Sequence, residues 1–238
     1  MNARPRLFLA ATLALSSTGA LAEPPAHPVR LFNGTDLAGW SHFLADPKVG
    51  MNDVWSVRDG ILVCKGEPLG FLQTNTEYTS FRLLVEWRWP KDATARLGKT
   101  PNSGVFLRVN GEPKTIPRTF EVQLKSGDAG DLYGFWGMTL AGDPARQRGR
   151  AADPVLGDMI GFAKAVAAEK PEGEWNLAEI TLDGPSIVVF VNGKKVNEAT
   201  NATVLPGRVG LQSEGGEIHF FLFKLAAHHA GKGQKVVN

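Results

Sequence analysis

Apolar and polar residues alternate with a period of two through many short runs of this chain, most clearly in Leu83–Trp89, Ser103–Val109 and Phe120–Leu124. Successive side chains of a strand point to opposite faces. Val85, Trp87 and Trp89 therefore share one face and Glu86 and Arg88 the other, while Phe120, Val122 and Leu124 oppose Glu121 and Gln123. Similar β-rich runs cover Trp55–Val57, Ile61–Val63, Phe71–Gln73, Phe81–Trp89, Gly104–Val109, Thr119–Leu124, Leu177–Leu182, Ser186–Val191, Arg208–Ser213 and Ile218–Leu225. Asp59-Gly60, Asp183-Gly184 and Asn192-Gly193 sit between apolar runs, the strongest short-range signal for a tight hairpin. Many short strands with almost no helical period predict an all-β fold, a two-sheet antiparallel sandwich or a barrel.

One stretch breaks the pattern. Gly137–Glu174 is rich in Gly, Pro, Arg and Asp and then amphipathic over Met159–Glu169, which predicts a partly helical excursion across the polar face. The N-terminus, with Arg4 and Arg6, an apolar stretch from Leu7 to Leu15 and Ala20-Leu21-Ala22, reads as a secretory signal cleaved after Ala22. The expected organisation is thus a signal peptide over 1–22, one domain over 23–225 and a flexible tail over 226–238, with a periplasmic or secreted product. The tail's His228 and His229 are expected to be solvated. A single cysteine, Cys64, allows no internal disulfide, and its apolar neighbours Leu62 and Val63 predict a buried, inert thiol. The net charge of +2 argues against nucleic acid or an anionic membrane as a partner.

The polar strand faces carry the candidate chemistry. Exposed cross-strand ion pairs would give the same pattern and contribute only a few tenths to about 1 kcal/mol each. Yet Glu86, Arg88, Arg108, Glu121 and Gln123 offer carboxylate, guanidinium and amide groups, which grip hydroxyls and carbonyls, so a polar cleft is expected. Asn102, in the turn before Gly104, and Gln212, with Glu214 beyond it, are candidates to touch a ligand. Tyr133 and Trp175 flank the long excursion and are placed either to stack on an apolar ligand face or to pack. Trp40 and Trp55 read as structural anchors, and His219 as a half-buried histidine within an apolar strand. No His-rich metal spacing, EF-hand, phosphate loop or nucleophile elbow occurs. Glu86, Glu121 or Asp128 are the oxygen ligands available to a divalent cation.

Eight blocks, in order, carry a family resemblance. They are LFNGTDLAGW from Leu31, Trp55–Gly60, Glu86-Trp87-Arg88, Asn102–Arg108, Glu121–Leu124, Asp131–Gly134, Gly173–Asn176 and Gly210–Ser213. In these blocks the chain resembles the 3-keto-disaccharide hydrolase family. The resemblance implies a concanavalin A-like jelly roll, generally exported, acting on glycosides whose sugar carries a ketone at C3. Such a ketone acidifies the C2 proton. A carboxylate base removes it, an enolate forms, an acid helps the C1 leaving group depart, and water adds back. Glu86 and Glu121 are the expected base and acid, with Arg88 or Arg108 holding the oxyanion. Spacing alone leaves open which glutamate takes which role. A noncatalytic carbohydrate-binding module is the alternative. A conventional β-glucanase would need a Glu-x-Asp-x-x-Glu strand, which is absent because Glu121 is followed by Val122-Gln123-Leu124-Lys125.

Overall fold

The period-two runs pair into two eight-stranded antiparallel sheets in a computed structural model that describes residues 28–226. The expected signal segment, its cleavage point, and His228 and His229 lie outside the described residues. The first sheet runs β14 (Lys194–Ala199), β13 (Ser186–Val191), β12 (Asn176–Asp183), β6 (Phe81–Arg88), β16 (Ile218–Ala226), β4 (Ile61–Cys64) and β3 (Trp55–Arg58), with β1 (Val29–Arg30) added along β16. The second runs β10 (Gln147–Asp153), β11 (Gly157–Phe162), β9 (Leu132–Gly134), β8 (Arg118–Gln123), β7 (Gly104–Asn110), β15 (Arg208–Ser213), β5 (Gly70–Thr74) and β2 (Trp40–Leu44). Two short helices, α1 (Met51–Val54) and α2 (Ala93–Leu97), lie in connections.

The apolar faces meet between the sheets. Phe81, Leu83, Val85 and Trp87 of β6 share one buried cluster with Val105, Leu107, Phe120, Val122 and Leu211 of the second sheet. Trp40, Trp55 and Cys64 belong to it, as expected, and burial pushes the Cys64 thiol up to about 11. The outer face of the second sheet carries another apolar cluster, Phe71, Phe106, Val109, Ile116 and Phe135, against which Leu156 and Met159 pack. This sheet is consequently greasy on both sides at one end and polar on its outer side at the other.

Asp59-Gly60 and Asn192-Gly193 form the expected hairpin turns, with all four residues at positive φ, as a type I′ turn requires. The β12–β13 turn falls one residue later than expected. Asp183 is still paired, with Ser186, so Gly184 and Pro185 make the bend. The expected helical character of the excursion is corrected more substantially. It carries a 3₁₀ turn at Pro144–Arg146 and then the β10–β11 hairpin, and no helix covers Met159–Glu169. Ile160 and Phe162 face the main core while Met159 faces the outer cluster, so the period here is two. Gly149, Gly157 and Gly161 further disfavour a helix.

Candidate active site

A cavity of about 370 Å³ opens on the outer face of the second sheet, between β8, β9 and the β10–β11 hairpin. Its polar lining comes from Asn102, Glu121, Gln123, Tyr133, Gln212 and Glu214, with Arg148 and Arg150 from the hairpin. Alternation positions these groups. Glu121 and Gln123 project outward because Phe120 and Val122 are held in the core, and Glu121 sits in register between Phe106 and Tyr133. Two glycines clear the space beside them. A Cβ on Gly104 would overlap the Glu121 carboxyl, meeting Cδ at 2.7 Å and Cγ at 2.8 Å, and one on Gly161 would overlap the Tyr133 ring, meeting Cε1 at 2.7 Å. Gly104 thus permits a close approach, as expected of it, and the approaching group is the Glu121 side chain.

Three acceptor oxygens here are buried without any partner: Glu121 Oε1, Gln212 Oε1 and Asn102 Oδ1. Such groups are rare, because leaving one unsatisfied costs about 1–3 kcal/mol. All three are sealed from solvent, behind the side-chain surface that lines the hollow. Gln123 differs, since its Oε1 already accepts from Leu124 N (3.0 Å) and Lys125 N (2.9 Å), leaving its NH₂ to offer. Tyr133 donates its hydroxyl to Asp131 Oδ2 (3.1 Å) and stacks on Phe135. Asp131, 1% exposed, also accepts from Lys164 N and has Arg148 at 4.0 Å.

Burial drives the Glu121 carboxyl well above the usual carboxylate range, and the neighbouring Glu214 charge adds to it. Burial also raises Glu214, but Gln212 and the Lys125 and Lys99 ammoniums pull it back. Tyr133 is raised as well, by burial and then by Asp131. The two glutamates therefore differ in environment, and Glu121 is the one that holds a proton more tightly.

Of the residues singled out from sequence, Glu121, Gln123, Asn102, Tyr133, Gln212 and Glu214 line this cavity. Glu86, Arg88 and Trp175 do not join them. Glu86 and Arg88 lie on β6, in the other sheet, with side chains on its outer face. There Arg88 donates to His219 Nδ1 (3.2 Å) and stacks over Trp175 at 4.6 Å, and Trp175 packs against Phe221. Alternation says which side of its own strand a residue occupies, not which sheet the strand joins. His219 is half-buried and bonded to Glu217, as expected. Arg108 is corrected too. It sits in a β-bulge with φ +56°, fully buried, donating to the carbonyls of Thr79 (2.9 and 2.7 Å), Thr203 (2.7 Å) and Gly184 (2.8 Å). The bulge turns it off the polar face and makes it a structural tie.

Glu86 and Glu121 do not converge on a cation, and Asp128 pairs with Lys125 (3.3 Å) and Lys164 (3.6 Å). Among the described residues no three His, Cys, Asp or Glu side chains are grouped to hold a metal ion. Arg148 and Arg150 are cavity residues that sequence reasoning missed. Their i, i+2 spacing was the available signal, masked by a composition that reads as loop.

Residues 27–224 match the sequence profile of the 3-keto-alpha-glucoside-1,2-lyase-like domain. No curated protein matches the chain. Among solved structures, the chain is similar to a provisionally assigned glycosyl hydrolase of Parabacteroides distasonis ATCC 8503 (20% identity, TM-score 0.59, covering 85% of this chain and 94% of that one). It is also similar to the carbohydrate binding module CBM66 of Bacillus subtilis (10%, 0.55, 79% and 96%) and to the β-glucanase of Bacillus licheniformis (10%, 0.54, 85% and 99%). At these identities the likeness concerns the fold, a concanavalin A-like sandwich.

Proposed function

The chain belongs to the 3-keto-alpha-glucoside-1,2-lyase-like family, and from that premise we propose that it cleaves 3-keto-glycosides in the cavity above β8. The observation carrying this reading is the convergence of Glu121, Gln123, Tyr133, Gln212 and Glu214 on one hollow, where burial raises the proton affinity of Glu121 above that of Glu214. The hydroxyls of a sugar ring meet the Gln123 NH₂, the Arg148 guanidinium and the Glu214 carboxylate that line the hollow. Neutral Glu121 then donates its own proton as a hydrogen bond to the C3 oxygen, where negative charge develops on enolisation, and Arg148 adds positive charge at the rim.

Glu214, ionised, is the base. It takes the C2 proton, the C2 electron pair closes the C1–C2 double bond, and the C1–O bond breaks. Glu214 then hands the same proton to the departing oxygen. Water adding across the double bond gives net hydrolysis, and stopping before that step gives a lyase. The Glu214 assignment rests on its lower proton affinity relative to Glu121.

The test is incubation with a 3-keto-disaccharide and with its unoxidised parent. Cleavage of the ketone alone is expected. Glu214→Gln should abolish turnover while sparing binding, and Glu121→Leu should lower kcat by about 10²–10³, the usual cost of one oxyanion donor. Binding without cleavage by the wild type would return the carbohydrate-binding-module reading. The export read from residues 1–22 also stands as a proposal, for which a mature N-terminus at Glu23 in protein recovered outside the cytoplasm is the expected finding.

A further inference from the structure

A second cavity, of about 380 Å³, adjoins the first. It lies between α2, the Lys65–Glu67 connection after β4 and the turn between β15 and β16, and the two hollows share Leu69 and Glu214 as wall. Each is near the lower end of the ~300–1,000 Å³ range of small-molecule sites. Gly66 and Gly216 line the second, and their backbones pack so closely that a Cβ on Gly66 would overlap Gly216. Its walls carry Lys65, Arg96 and Lys99, none within ion-pair distance of a carboxylate among the described residues, together with Glu67. Leu69, Pro90, Ala93 and Leu97 add apolar wall, and a sugar ring, with hydroxyls at its edge and C–H groups on its faces, suits this mixed lining.

We propose that this second cavity is the subsite for the leaving-group half of a two-ring substrate, with Glu214 standing at the scissile bond between the two halves. The inference rests on the function proposed above and adds to it the place where the leaving half of the substrate sits. Glu214 is the one acidic side chain that borders both hollows. A proton taken at C2 in one cavity therefore has only to pass to the oxygen that leaves into the other.

Gly215 supplies the test. It borders only the second cavity, its φ is not in the left-handed region, and a Cβ there would meet nothing nearer than Lys99 Nζ at 3.8 Å. Gly215→Phe should fill the space. The substrates are a 3-keto-α-glucosyl-glucose and methyl 3-keto-α-glucoside. For Gly215→Phe, KM for the disaccharide should rise about tenfold or more, the loss of one or two hydrogen bonds, with kcat/KM for the methyl glycoside within about twofold of wild type. An unchanged methyl glycoside reaction also certifies the variant's fold. The variant Arg96→Ala, which empties rather than fills the cavity and leaves the Lys99 charge near Glu214 in place, should weaken the disaccharide in the same selective way. Equal effects on both substrates, or none on either, overturn the subsite and leave the function standing. If the wild type cleaves neither compound the function falls, and calorimetric binding of the same two compounds decides the subsite, which selective loss of disaccharide binding supports and parallel behaviour overturns.

Discussion

Replacing Glu121 with Gln should make the protein more stable, increasingly so as pH rises. Glu121 is 3% exposed, its Oε1 has no partner, and burial lifts its carboxyl well above the ordinary 4.5. In the unfolded chain the same group ionises near that ordinary value. Between the two the native state binds more protons, so native stability falls with rising pH by about 1.4 kcal/mol per unit. Glutamine has the same shape and no titration. The stability gap between variant and wild type should therefore be flat below about pH 4 and widen above it, by roughly 2.7 kcal/mol from pH 5 to 7 if Glu121 stays protonated throughout that interval. For a domain of this size about 1 kcal/mol corresponds to roughly 2–4 °C, so the melting temperatures should separate by about 5–10 °C. Thermal unfolding followed by circular dichroism from pH 4 to 8 measures this, and the pH at which the gap stops widening reports the native ionisation. A gap independent of pH, or a variant that loses ground as pH rises, would refute the reasoning, because it would mean that Glu121 is ionised and held by donors.

Other expectations follow from the same geometry. Gly104→Ala places a methyl in the Glu121 carboxyl; an overpacking cost of about 1–3 kcal/mol and a drop in kcat should appear together in melting and turnover assays. Arg108→Leu strands the carbonyls of Thr79, Thr203 and Gly184, and at about 1 kcal/mol or more for each should lower the urea midpoint by an amount equivalent to about 3 kcal/mol with an unchanged m-value. Glu86→Gln and Arg88→Ala, in the opposite sheet, should leave kcat/KM within about twofold of wild type, and a large loss would restore β6 to the reaction. Activity should fall at high pH as Glu121 loses the proton with which it stabilises the enolate, and Glu121→Gln, which keeps a donor, should abolish that fall in a pH–rate profile.

The sandwich was legible because an inner face tolerates no polar residue: Val85, Trp87, Phe120 and Val122 announce both their strands and their inward side. The site was legible only where local pattern and three-dimensional placement coincide, as for Glu121, Gln123 and Tyr133. Glu86 and Glu121 look alike in sequence, yet pairing puts Glu86 between Leu177 and Leu222 and Glu121 between Phe106 and Tyr133. That difference is long-range. Arg108 escaped because one bulged residue ends the alternation on which its placement depended. The first strand of the hairpin escaped because β10 buries almost nothing, so hydrophobicity, the main sequence signal, is nearly silent over Gln147–Asp153.

That last property has an evolutionary reading. Gln147 to Ala152 are all exposed on the outermost strand of their sheet, so this rim of the candidate cavity bears almost none of the weight of folding. Mutations along it can accumulate at little thermodynamic penalty, whereas Glu121 and its supporting glycine are locked into the structure. Selectivity is free to drift among descendants of this architecture while the reactive centre stays put.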